Sequence, residues 1–403
     1  MNIKTTSLAN LGLVIILAGA PLVANAVEKT INKSFEVKAG GDLYVNSDSG
    51  KISVQAWDKK QVQVKVTKKA RKGSYVESFK VNLEQNGNDI SIEGFGEWNT
   101  RVKVSYQIKV PKNFNLNLET GGGAIEIGDM SGMIKAETSG GAIKVGNIAK
   151  GSVDVDTSGG RIEIGNVKGN VKAETSGGAI VIGHVSGKTS LDTSGGSIKV
   201  ASAGDKLEAE TSGGSIKIGP SKSDVKVGTS GGSIKIAMSQ GNVEAETSGG
   251  QIRVEGAKGN VSIDSSGGNL FVGQSGGHVK ADTSGGNITI KKAKGYIEAD
   301  TSGGSIDVEM IQTDNRKDHH VDLDSSGGTI TLYLPKSIKA TISAKIKLSH
   351  SARRDYRIYS DFPLTIEGEN SSRVSGKGKI NGGGDKVKIN TSNGDIYIKM
   401  LKD

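Results

Sequence analysis

The chain has 403 residues with a formal charge of +9, 4% aromatic residues, 59 glycines, 5 prolines and no cysteine. The missing cysteine excludes disulfides, thiolate metal sites and a cysteine nucleophile, and abundant glycine with so little proline argues against a collagen-type helix. A hydrophobic fraction of 34% is low for one large core but suits a stack of thin layers, each burying a few side chains.

Residues 1–26 read as an export signal. Lys4 supplies a positive start, Leu11 to Ala20 (LGLVIILAGA) an apolar run, and Ala24-Asn25-Ala26 the small-x-small cleavage pattern. Cleavage is expected between Ala26 and Val27. The run is too short to span a bilayer comfortably, and no later segment is apolar enough to cross. The mature protein is therefore expected in the periplasm, at the cell surface or outside the cell, with no transmembrane segment.

Residues 27–118 hold alternating runs without a strict period: LYVNSDSGKISV, QVQVKVT, FKVNLEQNGNDISIEG and RVKVSYQIKV. They predict strands and hairpins, with NGND as a turn. SDSGKISV (47–54) resembles a worn copy of the unit that follows, so this region is expected to begin the same coil and cap its first end. Trp57 and Trp98 both lie here, and the loop Gly94 to Asn99 is expected to pack in the cap, with a ring exposed for contact as the alternative.

Residues 119–330 repeat. The Thr or Ser opening each corner falls at Thr120, Thr138, Thr157, Thr175, Thr193, Thr211, Thr229, Thr247, Ser265, Thr283, Thr301 and Ser325, so one step of 19 and one of 24 interrupt a run of 18s. A fixed period of this length marks a solenoid. In residues 241–258, GNVEAETSGGQIRVEGAK, the residues Val243, Ala245 and Thr247 share one parity and Glu244 and Glu246 the other. Ile252 and Val254 then alternate with Gln251 and Arg253. Alternation of this kind means strands with one buried face. It also turns the threonines inward, against an outward ice-binding ladder.

TSGG reads as a structural corner rather than a site. A serine present in every layer is no privileged nucleophile, the hydroxyls can bond nearby backbone, and paired glycines are expected to supply positive φ. At the second corner Ile148, Val167, Val185 and Ala257 are expected to tuck inward. The predicted fold is all-β: a single-stranded β-helix, or β-solenoid, of about 18 residues per turn. It is right-handed by the crossover rule and carries irregular β caps at both ends. Residues 331–403 form the second cap, with long strands in TLYLPKSIKATISAKIKLS and a last corner in KVKINTSNGDIYIKM.

The signal segment, the xTSGGxIxV/I units and the closing NTSNGDIYIKM resemble the "putative adhesin" β-strand repeat family, DUF4097, across most of residues 35–400. The resemblance implies a β-solenoid at the envelope or cell surface and confers no site; the role expected here is a non-enzymatic scaffold or adhesive element.

Two lanes carry the candidate sites. The residue before each corner is Glu137, Asp156, Glu174, Asp192, Glu210, Gly228, Glu246, Asp264, Asp282, Asp300 and Asp324. Carboxylates stacked at the strand spacing repel unless neutralised. Corner N–H groups and neighbours such as Lys172 and Lys280 are expected to do this locally. Ca²⁺ is the one cofactor considered, with Glu174, Asp192, Glu210, Glu246 and Asp264 as candidate ligands, although no GGxGxD calcium motif is present. The second lane is Lys199, Lys217, Lys235 and Arg253 at one outward position, suited to a glycan or other anionic cell-surface or envelope component. Nucleic acid is not expected, since no aromatics interleave for base stacking. A polysaccharide-cleaving enzyme is the alternative and would need a singular acid/base cluster. The best one, Asp314, Asp318, His319 and His320, places adjacent histidines on opposite faces of a strand and reads as a solvated loop.

Overall fold

The computed structural model describes residues 26–96, 102–311, 318–348, 356–368 and 371–401. The signal segment up to residue 25, Trp98 and Asp314 lie outside the described residues.

Each repeat folds as the alternation dictates. Val243–Thr247 and Ile252–Ala257 are strands whose apolar residues are buried. Every layer pairs in parallel with the equivalent residues of the next. Val225 meets Val243 and Val243 meets Val261 on one sheet, while Ile234 meets Ile252 and Ile252 meets Leu270 on the other. A third, narrower side is held by single bridges, Ile148 to Val167 and Val167 to Val185 among them. Ile148, Val167, Val185 and Ala257 are all 3% exposed or less, so these residues do line the interior. One continuous apolar core runs from Phe35 to Ile398. A single layer contributes too few large side chains to offset its ordering entropy, so stability arises from stacking.

The corner residues lock successive layers. Thr211 is buried, and its Oγ1 donates to the Gly196 carbonyl of the layer before at 2.8 Å. The same oxygen accepts the Gly214 N–H at 3.2 Å. The pattern recurs at Thr138, Thr175, Thr247 and Thr301, and Ser265 and Ser325 fill the same role. The buried hydroxyl is thus satisfied as donor and acceptor, as burial requires.

The glycines act differently from the sequence expectation. The positive-φ glycines among the described residues are Gly40, Gly50, Gly87, Gly132, Gly151, Gly368, Gly382 and Gly383, and none belongs to a TSGG corner. The second corner glycine is required by proximity instead. A Cβ on Gly214 would fall on the Gly196 carbonyl oxygen, inside any permitted contact. The first glycine has no such constraint, because a Cβ on Gly213 would meet its nearest neighbour, the Gly195 carbonyl oxygen, at 3.5 Å.

At both ends the stacking order departs from chain order. Asp42–Ser47 lies between Asp89–Phe95 and Asn115–Thr120, pairing Val45 with Ile92 on one side and with Leu118 on the other. Lys51–Trp57 is likewise flanked by Lys103–Pro111 and Ile125–Ile127. At the far end Asp385–Ser392 inserts between Val321–Ser325 and Ala340–Lys347. Ile396–Met400 inserts between Ile330–Leu334 and Ile358–Ser360. Antiparallel strands close the outside: Val27–Glu36 with Gln61–Ala70 at one end and Ala340–Lys347 with Arg373–Ile380 at the other. Such charged antiparallel borders, with Lys29 and Lys33 on the edge strand, protect the stack from further strand addition.

The two corner glycines should separate in mutagenesis. Gly214→Ala forces a methyl group against the preceding carbonyl and should lower stability by about 1–3 kcal/mol. Gly213→Ala should change it by well under about 1 kcal/mol. Denaturant unfolding of the two variants measures the difference.

Candidate functional site

Strict register turns residues 18 apart into lanes in space. On the outer face of the second sheet Lys199 pairs with Lys217, Lys217 with Lys235 and Lys235 with Arg253. Successive charges therefore stand about 4.8 Å apart. All four are exposed. Lys199 and Lys217 have no carboxylate partner among the described residues, whereas Glu255 serves the other end of the lane. Its carboxylate accepts two bonds from the Arg253 guanidinium, at 2.7 and 3.0 Å, and lies 3.7 Å from Lys235. The Arg253 hydrogen bond is the main reason Glu255 sits below the usual carboxylate range. The outward positions two residues beyond the three lysines are Ala201, Gly219 and Ala237, which carry no charge.

The same face becomes aromatic toward its C-terminal end. Arg253 lies over the Phe271 ring at 3.9 Å, a cation–π contact between adjacent layers. Farther along, Tyr359 and Tyr397 pair across strands and stack at 4.9 Å. Lys399 lies 5.2 Å from the Tyr397 ring and 5.7 Å from that of Tyr333. The Arg253–Phe271 neighbourhood could have been read from the 18-residue offset. The tyrosine stack could not, because its strands belong to the out-of-order layers.

The first sheet carries the acidic lane. Glu137, Asp156, Glu174, Asp192 and Glu210 are consecutive rungs, Gly228 interrupts, and Glu246, Asp264, Asp282, Asp300 and Asp324 follow. The calcium candidates Glu174, Asp192 and Glu210 thus stand together on one side of Gly228, with Glu246 and Asp264 on the other. Asp192, Glu210, Glu246, Asp264 and the serines line an open groove of about 450 Å³ around that gap. Partial burial, then repulsion from the stacked neighbours, raises Asp156 and Asp300 above the ordinary carboxylate range.

Neutralisation is only partly as expected. Lys172 meets Glu174 at 3.0 Å and Lys280 meets Asp282 at 3.6 Å, both in the expected role. The corner N–H groups do not serve the lane: Gly178 donates to Thr175 Oγ1 and Gly213 to the Ser194 carbonyl. The first closes its own turn and the second joins two layers. At the end of the lane Asn390 Nδ2 donates to Asp324 Oδ2 at 3.1 Å.

His319 and His320 point to opposite sides, although both lie just before the strand Val321–Ser325 rather than in it. His319 is 3% exposed and points inward, while His320 faces outward and bonds Asp318.

The family model described as Toastrack DUF4097 matches residues 41–223 and 219–399. The chain is similar to a crystal structure of a "putative adhesin" from Bacteroides fragilis NCTC 9343, at 16% identity and a TM-score of 0.32, over 59% of this chain and 97% of that one. A "putative adhesin" from Parabacteroides distasonis ATCC 8503 matches at 17% identity and a TM-score of 0.24, over 70% of this chain and 97% of that one. A "putative cell adhesion protein" from Clostridium sporogenes ATCC 15579 matches at 11% identity and a TM-score of 0.18, over 93% of this chain and 100% of that one. No functionally curated protein matches the chain.

Raised carboxyl values carry a definite sign. A group whose folded value lies above its unfolded one favours the fold while protonated, and that contribution is lost as pH rises through the folded value. The double variant Asp156→Asn/Asp300→Asn should therefore melt higher than the parent at pH 7, by on the order of 1–2 °C. The gap should close as the pH is lowered through the carboxylate range. Calorimetry from pH 7 to pH 4 checks it.

Proposed function

We propose a function from one premise: this chain belongs to the Toastrack DUF4097 family, which its sequence matches over most of its length. The protein acts as a non-catalytic, exported scaffold at the cell envelope or surface, and its basic lane lies along an anionic glycan. The observation that supports this most is the alignment of Lys199, Lys217, Lys235 and Arg253 in adjacent layers, two of them without carboxylate partners among the described residues. Each exposed charge contributes little alone. Four at a fixed repeat present an extended polyanion with the same weak contact several times over, and linked contacts sum by effective concentration. The Phe271 ring beside Arg253 offers an apolar face next to the charges, as mixed charged and apolar ligands such as acidic sugars need.

Binding of an acidic polysaccharide, with polygalacturonate and heparin as probes, tests the reading. Lys199→Glu/Lys217→Glu should weaken binding about tenfold or more, at roughly 1 kcal/mol per displaced cation, and leave the melting temperature unchanged. Affinity in the parent should fall as salt rises. Equal affinity of parent and variant would remove the lane from the function. Release of shortened chains from the polysaccharide would favour the alternative, a glycan-cleaving enzyme on the same scaffold.

A further inference from the structure

The singular cluster at the end of the regular stack gains a member that sequence order conceals. Asp318 and His320 lie just before Val321–Ser325, and Asp385 opens Asp385–Ser392, the strand inserted against it. One donor atom each from Asp318, His320 and Asp385 lie within 4.8 Å of one another. Asp318 and His320 are already joined, since Asp318 Oδ1 accepts the His320 backbone N–H at 2.9 Å and faces its Nδ1.

A second observation comes from His319. Its backbone N–H donates to Asp385 Oδ2 at 3.1 Å, and its ring Nδ1 faces the same oxygen at 3.6 Å. The ring is 3% exposed, and Nε2 is buried without a hydrogen-bond partner. A buried N–H left unpaired is costly, so the favoured tautomer keeps the proton on Nδ1, toward Asp385, and leaves Nε2 as a bare lone pair. His319 therefore orients one carboxylate oxygen of Asp385, and the other has no hydrogen bond among the described residues. Such support behind a ligand is typical of metal sites.

The geometry points to a divalent transition-metal site, of the zinc class, formed by Asp318, His320 and Asp385, with His319 as a positioning residue. Two carboxylates balance the charge of the ion. The imidazole favours zinc or a neighbouring transition metal over calcium. Three protein donors leave the fourth tetrahedral position to water. The ion would join the last regular layer to the strand inserted against it, two segments 66 residues apart, and so act as a staple for the back-threaded end. This inference is independent of the glycan reading, which concerns a different face and different residues.

Titration calorimetry of the whole protein with ZnCl₂, alongside melting curves in ZnCl₂, MnCl₂, CaCl₂ and EDTA, provides the test. The expected result is one equivalent of zinc per chain at micromolar concentration and a raised melting temperature, since a ligand of the folded state must stabilise it. Calcium should give a smaller shift. His320→Ala and Asp385→Asn should each lose at least about tenfold in zinc affinity; Asn can still accept the His319 N–H, which keeps the fold intact. His184→Ala should bind as the parent does, which separates the site from adventitious binding to an exposed histidine. No stoichiometric binding by the parent, or undiminished binding by both ligand variants, would overturn the site.

Discussion

The structure depends on how closely one layer can approach the next at the TSGG corner. The second glycine leaves room for the carbonyl of the preceding layer, and the threonine hydroxyl bridges that carbonyl to its own turn. Any side chain at that glycine would push the layers apart at one corner while the strand ladders held them together elsewhere. Because side chains alternate with period two, a slip of one residue would also turn the apolar set outward. The corner thus fixes both spacing and phase.

The surface lanes follow from this constraint. Once equivalent residues are held directly over one another, any side chain retained from repeat to repeat becomes a row of like groups. In the core the row is favourable, since Val, Ile and Ala stack on their own kind. On the surface it is a liability, which the acidic side relieves piecemeal with Lys172 and Lys280, the gap at Gly228 and a terminal asparagine. Among the described residues the basic side is relieved only at one end, by Glu255. The uncompensated remainder, Lys199 and Lys217, is where an external polyanion would gain most.

The repeat body was legible because its physical neighbours sit at a constant offset. Period, strand pairs, inward threonines and the register of Lys199 with Arg253 all follow from counting. The role of the glycines was misjudged, since a sequence shows which residue lacks a side chain but not whether φ or a nearby carbonyl demands it. The ends were opaque for another reason. Val45 against Leu118, Tyr359 against Tyr397 and His319 against Asp385 join segments whose separations match no period. Where the chain passes one layer and returns, counting no longer reports contact, and the most distinctive chemistry of the molecule lies in those places.

The inserted end has a mechanical consequence. Residues Ile396 to Ile398 of the strand Ile396–Met400 are paired on both sides, so a load on this strand must break two ladders there rather than one. Force applied there shears two parallel ladders together, along with the matching strand on the other sheet. Resistance to shear is therefore greater at this inserted segment than at a strand held by a single ladder.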